Sequence, residues 1–358
     1  MKSVMSPAWF YAACLSAVLA LPAQAKEQPD FGRDAMFIAV DPSVEYVARE
    51  VLQQLPKKRL GKDPQLSKLE MKKGLKQFCL GVAPNYPDIV IVPREMDEAE
   101  RLRCHERSPE VIKLKLGYEA MVVAASDRAT PLSPGARELF LALASDVPRP
   151  NAPLPGTVTR NPYRNWSDLG LKAQHAIRIA GPDMSADTGR GGQQLAMEPG
   201  CRQWDWIAEM KYSQRNRRLY RAICYRARQD EHYLSLTGGA RAVAEKLRKD
   251  SQLIGLMPYN DWLANRSGLQ ALAVDDIPPR QATISAGLYP LARTLYAYVK
   301  LDAVKSVPGV AYFLNALASD AALAENGYLQ QAGLVPMTDK ERKKQISQAS
   351  ELTVTAFQ

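Results

Sequence analysis

Histidine is scarce in this sequence: three residues in 358, His105, His175 and His232, scattered along the chain. There is no C-x-x-C pair, no G-x-S-x-G, and no glycine-rich loop running into a Lys followed by Ser or Thr. Each absence removes a class of chemistry. A thiolate or imidazole metal site needs ligands at close, regular spacing. Nucleophilic catalysis needs an activated Ser or Cys beside a base. A P-loop needs a lysine after its glycines, and Gly189, Gly191 and Gly192 flank Arg190 without one. The reading is of a protein with no metal site, no cofactor and no covalent chemistry, so not an enzyme. Internal repeats and low-complexity tracts are also missing. Past residue 21 no stretch supplies the ~20 apolar residues that a membrane span requires.

The clearest pattern is at the start. Lys2 gives a positive end, residues 8–21 are almost wholly apolar, and Ala23, Gln24 and Ala25 form an A-x-A cleavage site. Residues 1–25 are therefore expected to be a signal peptide, with the mature chain beginning near Lys26. The apolar run of about 14 residues is shorter than a spanning helix. Cys14 lies inside it, followed by Leu15, Ser16 and Ala17, and lacks the small-residue context of a lipidation site. The expected product is exported and soluble, without a lipid anchor.

Hydrophobic residues at 46% and charged residues at 24% fit an ordinary globular protein. At about 100–200 residues per domain, the length suits two compact units. Four cysteines remain after cleavage: Cys79, Cys104, Cys201 and Cys224. An even count in an oxidising compartment favours disulfides, and the sequential pairing keeps each bridge within one unit; four free buried thiols are the alternative.

The net charge of +9 is unevenly placed. One basic stretch lies between Lys57 and Lys76. Another runs from Lys211 to Arg228 with no acidic residue, interleaved with Tyr212, Tyr220 and Tyr225. Inside a cell such a pattern raises nucleic-acid binding; export argues against it. Two readings stay open, a solvated helix face and an anion-steering or partner-binding surface.

Short apolar runs at 36–40, 88–92, 118–125, 177–180, 254–258, 269–274 and 295–300 read as strands. Apolar positions at helical spacing follow the first, from Val44 to Leu55, with Ser43 at the helix start. Residues 136–144 and 310–323 read as helices, and the proline-rich passage between them that begins at Pro148 reads as a loop. Residues 181–192 form a polar, glycine-rich turn that opens a helix through Met197. Strands alternating with helices predict an α/β architecture with ligand sites at the strand carboxyl ends.

The order of these features resembles the periplasmic phosphate-binding proteins of bacterial ABC phosphate importers, over nearly all of the mature chain. Leu288 to Arg293 followed by Leu295 to Tyr298 looks like the family's return hinge strand, and residues 118–125 look like the outgoing one. Residues 88–96 (DIVIVPREM) resemble its strand ending in a Ser-Arg or Asp turn. Asn165, Trp166, Ser167 and Asp168 match its Asn-Trp element. The resemblance implies a type II periplasmic-binding-protein fold, two α/β lobes joined by two hinge strands. Lobe one would be residues 26–124 and 289–358, and lobe two residues 125–288.

It further implies capture of phosphate or another small oxyanion between the lobes of a monomer, for delivery to an inner-membrane ABC permease. The family's three anion-gripping elements map onto Ser43 and Val44, onto Arg94, and onto Ser185, Thr188 and Gly189, with Arg190 beside the last. Arg94 or Arg190 would supply the countercharge. Departures from the family pattern are Asp41, Pro93 and Asp187, and a carboxylate facing an oxyanion is repulsive. Helix capping is the alternative role for Ser185 and Thr188. The alternative function is a divergent paralogue whose cleft no longer binds phosphate and which acts as a sensor or accessory protein through protein contacts.

Overall fold

The computed structural model of the protein describes residues 34–107, 110–130, 132–150, 156–184, 190–213 and 215–356. The segment read as a signal peptide lies outside the described residues.

β1 (Phe37–Val40) and β3 (Ile89–Val92) are short apolar runs in which every residue is buried. They carry no alternation because helices cover both faces of the sheet. Ile38 and Val40 share a core with Val47 and Val51 of α1 (Glu45–Gln54), and Ala39 shares one with Leu75 and Phe78 of α2 (Met71–Phe78). β2 (Gln65–Lys68) pairs parallel with β1 at the outer edge.

β4 (Val111–Ser126) is 16 residues long and passes from one lobe into the other. Its first part pairs antiparallel with β11 (Ala292–Lys300), from Val111↔Lys300 to Ala120↔Ala292. Its second part pairs with β9 (Ile254–Pro258), from Met121 to Ala125. β7 (Ile179–Gly181) and β8 (Tyr233–Ser235) continue the second lobe, giving the order β2-β1-β3-β11-β4-β9-β7-β8, with β10 (Leu269–Ala271) also on β4. Two α/β lobes are thus joined by two hinge strands, β4 outgoing and β11 returning. Gly117 in β4 has φ 137°, and a Cβ there would come within 2.8 Å of the Val335 carbonyl oxygen. That close approach lets Tyr118 and Val335 exchange both backbone hydrogen bonds, at 2.9 and 2.7 Å.

Several segments depart from expectation for local reasons. β4 begins at Val111, earlier than the apolar run, because Lys113 and Lys115 alternate with buried Ile112, Leu114 and Leu116. The proline-rich passage contains a hairpin, β5 (Asp146–Pro148) with β6 (Val158–Arg160). β10 stops at Ala271, and Asp275 and Asp276 then turn the chain at φ 50° and 61°. The helix expected over 310–323 breaks at Ser319, whose hydroxyl accepts the Ala322 amide at 3.2 Å and caps a new helix.

The helices that follow in the chain as far as the basic stretch are α3 (Glu98–Arg107), α4 (Ala136–Leu143), α5 (Arg190–Ala196), α6 (Glu198–Cys201), α7 (Asp205–Met210) and α8 (Arg217–Cys224). Cys79 bonds Cys104, tying the end of α2 to α3, and Cys201 bonds Cys224, tying α6 to the end of α8. The pairing is the sequential one.

Candidate functional site

β1, β2, β7 and β8 all deliver their carboxyl ends to one cavity of about 890 Å³ between the lobes. Asp41 and Pro42 after β1, and Glu70, Met71 and Lys72 after β2, form the wall from the first lobe. Asp183 and Met184 after β7, Gln193 and Gln194 of α5, and residues from Lys211 through α8 to Gln229 form the wall from the second. Ligand sites of α/β sheets gather at such strand ends.

The first wall is dominated by Asp41. One oxygen of its carboxylate accepts the Ser43 amide at 3.0 Å and the Ser43 hydroxyl at 2.6 Å, and the other accepts the Met71 amide at 2.8 Å. An Asp before Pro-Ser at a helix start folds this way because its short side chain reaches the orphan amides of the next turn. The Val44 amide donates to the Asp41 carbonyl at 2.9 Å. The amides at the start of this turn and of α2 therefore already hold a carboxylate, the protein's own.

Above it lies a buried charge cluster on the hinge. Arg293 of β11 stands opposite Glu119 of β4 in the strand register. Its Nε and Nη2 approach Glu119 Oε2 at 2.6 Å, each side chain being 13% exposed. Nη2 also donates to Ser43 Oγ at 3.3 Å, and Nη1 donates to Gln194 Oε1 of α5. Tyr46 donates to the other Glu119 oxygen at 2.7 Å. Burial works to lower the Arg293 pKa; the Glu119 carboxylate, helped by the field of Asp41, outweighs it and holds the guanidinium above its ordinary value. Burial first, then Glu119, pushes the Tyr46 hydroxyl well up. Gly191 of α5 also packs here, where a Cβ would sit in ordinary contact, 3.5 Å from Arg293 Nη2 and 3.6 Å from the Ser43 carbonyl oxygen.

The second wall is cationic. Seven Lys or Arg side chains line the cavity against three carboxylates, and all but Lys72 come from the stretch 211–228. That stretch is a cleft wall as well as a partly solvated face. Glu70 reaches across to it, accepting a hydrogen bond from Arg221 and lying 3.9 Å from Arg217. Lys72 stands 5.3 Å over the Tyr212 ring, and burial, then the charges of Arg217 and Arg94, lower its pKa. Lys211 pairs with Glu198 at 2.7 Å, and Tyr220 donates to the same carboxylate. Arg228 is committed to Asp230 at 2.7 Å. Asp230, Glu231 and His232 lie together, yet the Asp230 oxygens serve Arg228 and the His232 Nδ1 is 2.8 Å from the Ile177 carbonyl oxygen.

Of the residues that the resemblance singled out, Ser43 and Val44 lie together at the start of the β1–α1 turn, with both amides engaged by Asp41. Arg94 forms a bidentate pair with Glu100, at 2.7 and 2.9 Å, and is not among the cavity-lining residues. Ser185, Thr188 and Gly189 lie outside the described residues; Arg190 begins α5. Arg293, Glu119 and Gln194 were not singled out. Glu119 and Arg293 are charges inside runs that read as hinge strands, and a charge of each sign placed in two strands expected to be buried was the available signal.

A family model described as a PBP superfamily domain matches residues 25–321. The chain belongs to the PBP superfamily, as a divergent member. No curated protein matches it in sequence. Among solved structures, a "possible phosphate binding protein" of Planctomyces limnophilus is similar at a TM-score of 0.64 and 15% identity, over 89% of this chain and 98% of that one. PstS of Borrelia burgdorferi is similar at 0.53 and 15% identity, over 86% and 100%. An ABC-type phosphate transport receptor of Vibrio cholerae is similar at 0.53 and 12% identity, over 84% and 99%. At these identities the similarity is one of fold, and that fold is the two-lobed periplasmic-binding-protein type.

Proposed function

We propose that this superfamily member is an exported solute-binding protein that captures an oxyanion, phosphate or a compound related to it, in the cleft between its lobes. Lobe one is residues 26–124 and 289–358, lobe two residues 125–288, and the captured solute passes to an inner-membrane ABC permease. The observation that carries the reading is the excess of cations on the cavity walls: with Lys211 and Arg228 set against Glu198 and Asp230, Lys72, Arg217, Arg218, Arg221 and Arg226 still face Asp41, Glu70 and Asp183. A partly enclosed cleft with that balance raises the local concentration of anions and strengthens each contact made there. The structural neighbours described as a possible phosphate binding protein and a phosphate transport receptor support it as analogy of fold. Binding without turnover agrees with the lack of any activated nucleophile in the sequence.

A second reading has its own observation. Asp41 fills the amide cradle at the first-lobe wall with an internal carboxylate, which favours a paralogue whose cleft has given up phosphate and which works through protein contacts. Thermal unfolding of the mature protein in phosphate, sulfate, phosphate esters and matched chloride separates the two. An anion at about 100 times its Kd stabilises by about 2.7 kcal/mol. Such a shift with one anion class supports capture; no shift with any, from ligand-free protein, supports the accessory reading.

A further inference from the structure

We infer that the cleft takes an elongated organic molecule carrying at least two phosphate groups, in preference to a lone oxyanion. The inference rests on the capture reading and goes beyond it in naming the class of solute. Its first ground is size. A cleft of about 890 Å³ far exceeds what a tetrahedral oxyanion needs, a group the size of a few waters at about 30 Å³ each. The volume falls in the range of sites for whole organic ligands, about 300–1,000 Å³.

The second ground is how the charge is spread. Arg217 and Arg218 stand at the first turn of α8 and Arg226 just past its last, all three lining the cavity. At about 1.5 Å per residue the helix alone separates those ends by about 10 Å. One oxyanion cannot contact both ends, so only a second anionic group makes use of the far cation. Arg226 is 64% exposed at the side chain and its nearest carboxylate oxygen, on Asp146, is 3.9 Å away. At the other end Arg217 and Arg221 share Glu70, which is 44% exposed and hangs from the opposite lobe. A phosphate group arriving there can displace Glu70 into solvent and take over both guanidinium groups, for which its geometry is suited. A second phosphate, at the far end of the same molecule, then meets Arg226. Between these ends the wall offers Tyr225 and Ala222, surfaces for a carbon skeleton.

The test is isothermal titration of the mature full chain with inorganic phosphate, fructose 6-phosphate and fructose 1,6-bisphosphate as probes. The bisphosphate is expected to bind at least about tenfold more tightly than inorganic phosphate, with the monophosphate between, and to lose more affinity on raising salt. Arg226→Ala, at an exposed position, is expected to lower the bisphosphate-to-phosphate preference about fivefold or more, with circular dichroism confirming the fold. Inorganic phosphate binding as tightly as the bisphosphate overturns the inference and leaves oxyanion capture standing. No binding of any of the three overturns both. A bisphosphate preference unmoved by Arg226→Ala removes the two-ended arrangement along α8.

Discussion

Arg293 and Glu119 sit directly opposite each other on the two hinge strands, and the same guanidinium that pairs with Glu119 at 2.6 Å also touches Ser43 of one lobe and Gln194 of the other. The pair is thus where the two strands and both lobes meet. A closing two-lobed protein bends at its hinge, and a buried ion pair placed there resists bending unless all its partners move together.

Breaking that pair from one side leaves the other charge buried. Glu119→Ala strands the Arg293 guanidinium and frees the Tyr46 hydroxyl of its acceptor. The expected loss of stability is about 3 kcal/mol, read by urea unfolding. Glu119→Gln keeps a hydrogen-bond acceptor and is expected to lose less. Equal losses from the two variants would show that packing and not charge holds the hinge.

Both disulfides grip a helix that faces the cleft. Cys79–Cys104 holds the far end of α2, which begins with Met71 and Lys72, and Cys201–Cys224 holds the end of α8. With a sequence separation of 23, removing the second bridge in Cys201→Ala/Cys224→Ala is expected to cost roughly 3 kcal/mol on the chain-entropy model. Anion affinity should fall with it, because α8 carries the cationic wall. Unchanged affinity in the folded double variant would mean that α8 is positioned by its packing alone.

The α/β alternation and the apolar strands of both lobes were legible in the sequence because each has a local signal, an apolar run or a helical spacing, and the even cysteine count pointed to bridges; the short β5, β6 and β8 had no such signal. β2 was not legible either, since Gln65–Lys68 is a polar edge strand that gains its place only by pairing with β1. The site was harder to read. Ser43 was visible from its position at a helix start and its engagement by Asp41 is just as local, but the other half of the Asp41 grip depends on the Met71 amide arriving from 30 residues away. Arg94 read as a countercharge from its place after β3; its bidentate hold on Glu100 depends on how α3 folds back. The basic stretch gave its charge in the sequence and its direction only once the second lobe had turned α8 toward Glu70.

Lys72 gives the cleft a pH dependence. Burial, with Arg217 and Arg94, lowers its pKa below 10.5. In the window between that lowered value and 10.5 the unfolded chain holds the proton and the folded chain does not, so the contribution of this residue to stability rises with pH there. Anion binding runs the other way. A bound anion favours the ammonium form, so affinity is highest below the lowered pKa and declines as the pH rises through it. Titrations across the alkaline range should show that decline, and Lys72→Gln should flatten it; an unchanged profile in the variant would assign the dependence to another group.

Asp41 decides how far the first-lobe wall takes part. Its carboxylate holds three donors, and the side chain is 8% exposed as a residue, so its charge is felt inside the cavity that it lines. Asp41→Asn keeps one acceptor oxygen for the Ser43 amide while removing the negative charge that repels an incoming anion. The cap weakens, at a cost of about 1 kcal/mol. Oxyanion affinity should rise severalfold, since a unit charge a few ångströms from the ligand is worth a kcal/mol or more even when partly screened. If affinity falls instead, the carboxylate is part of the grip, accepting a hydrogen bond from a protonated oxygen of the ligand. The same variant therefore tells whether Asp41 closes the amide cradle against anions or selects among them by their protonation.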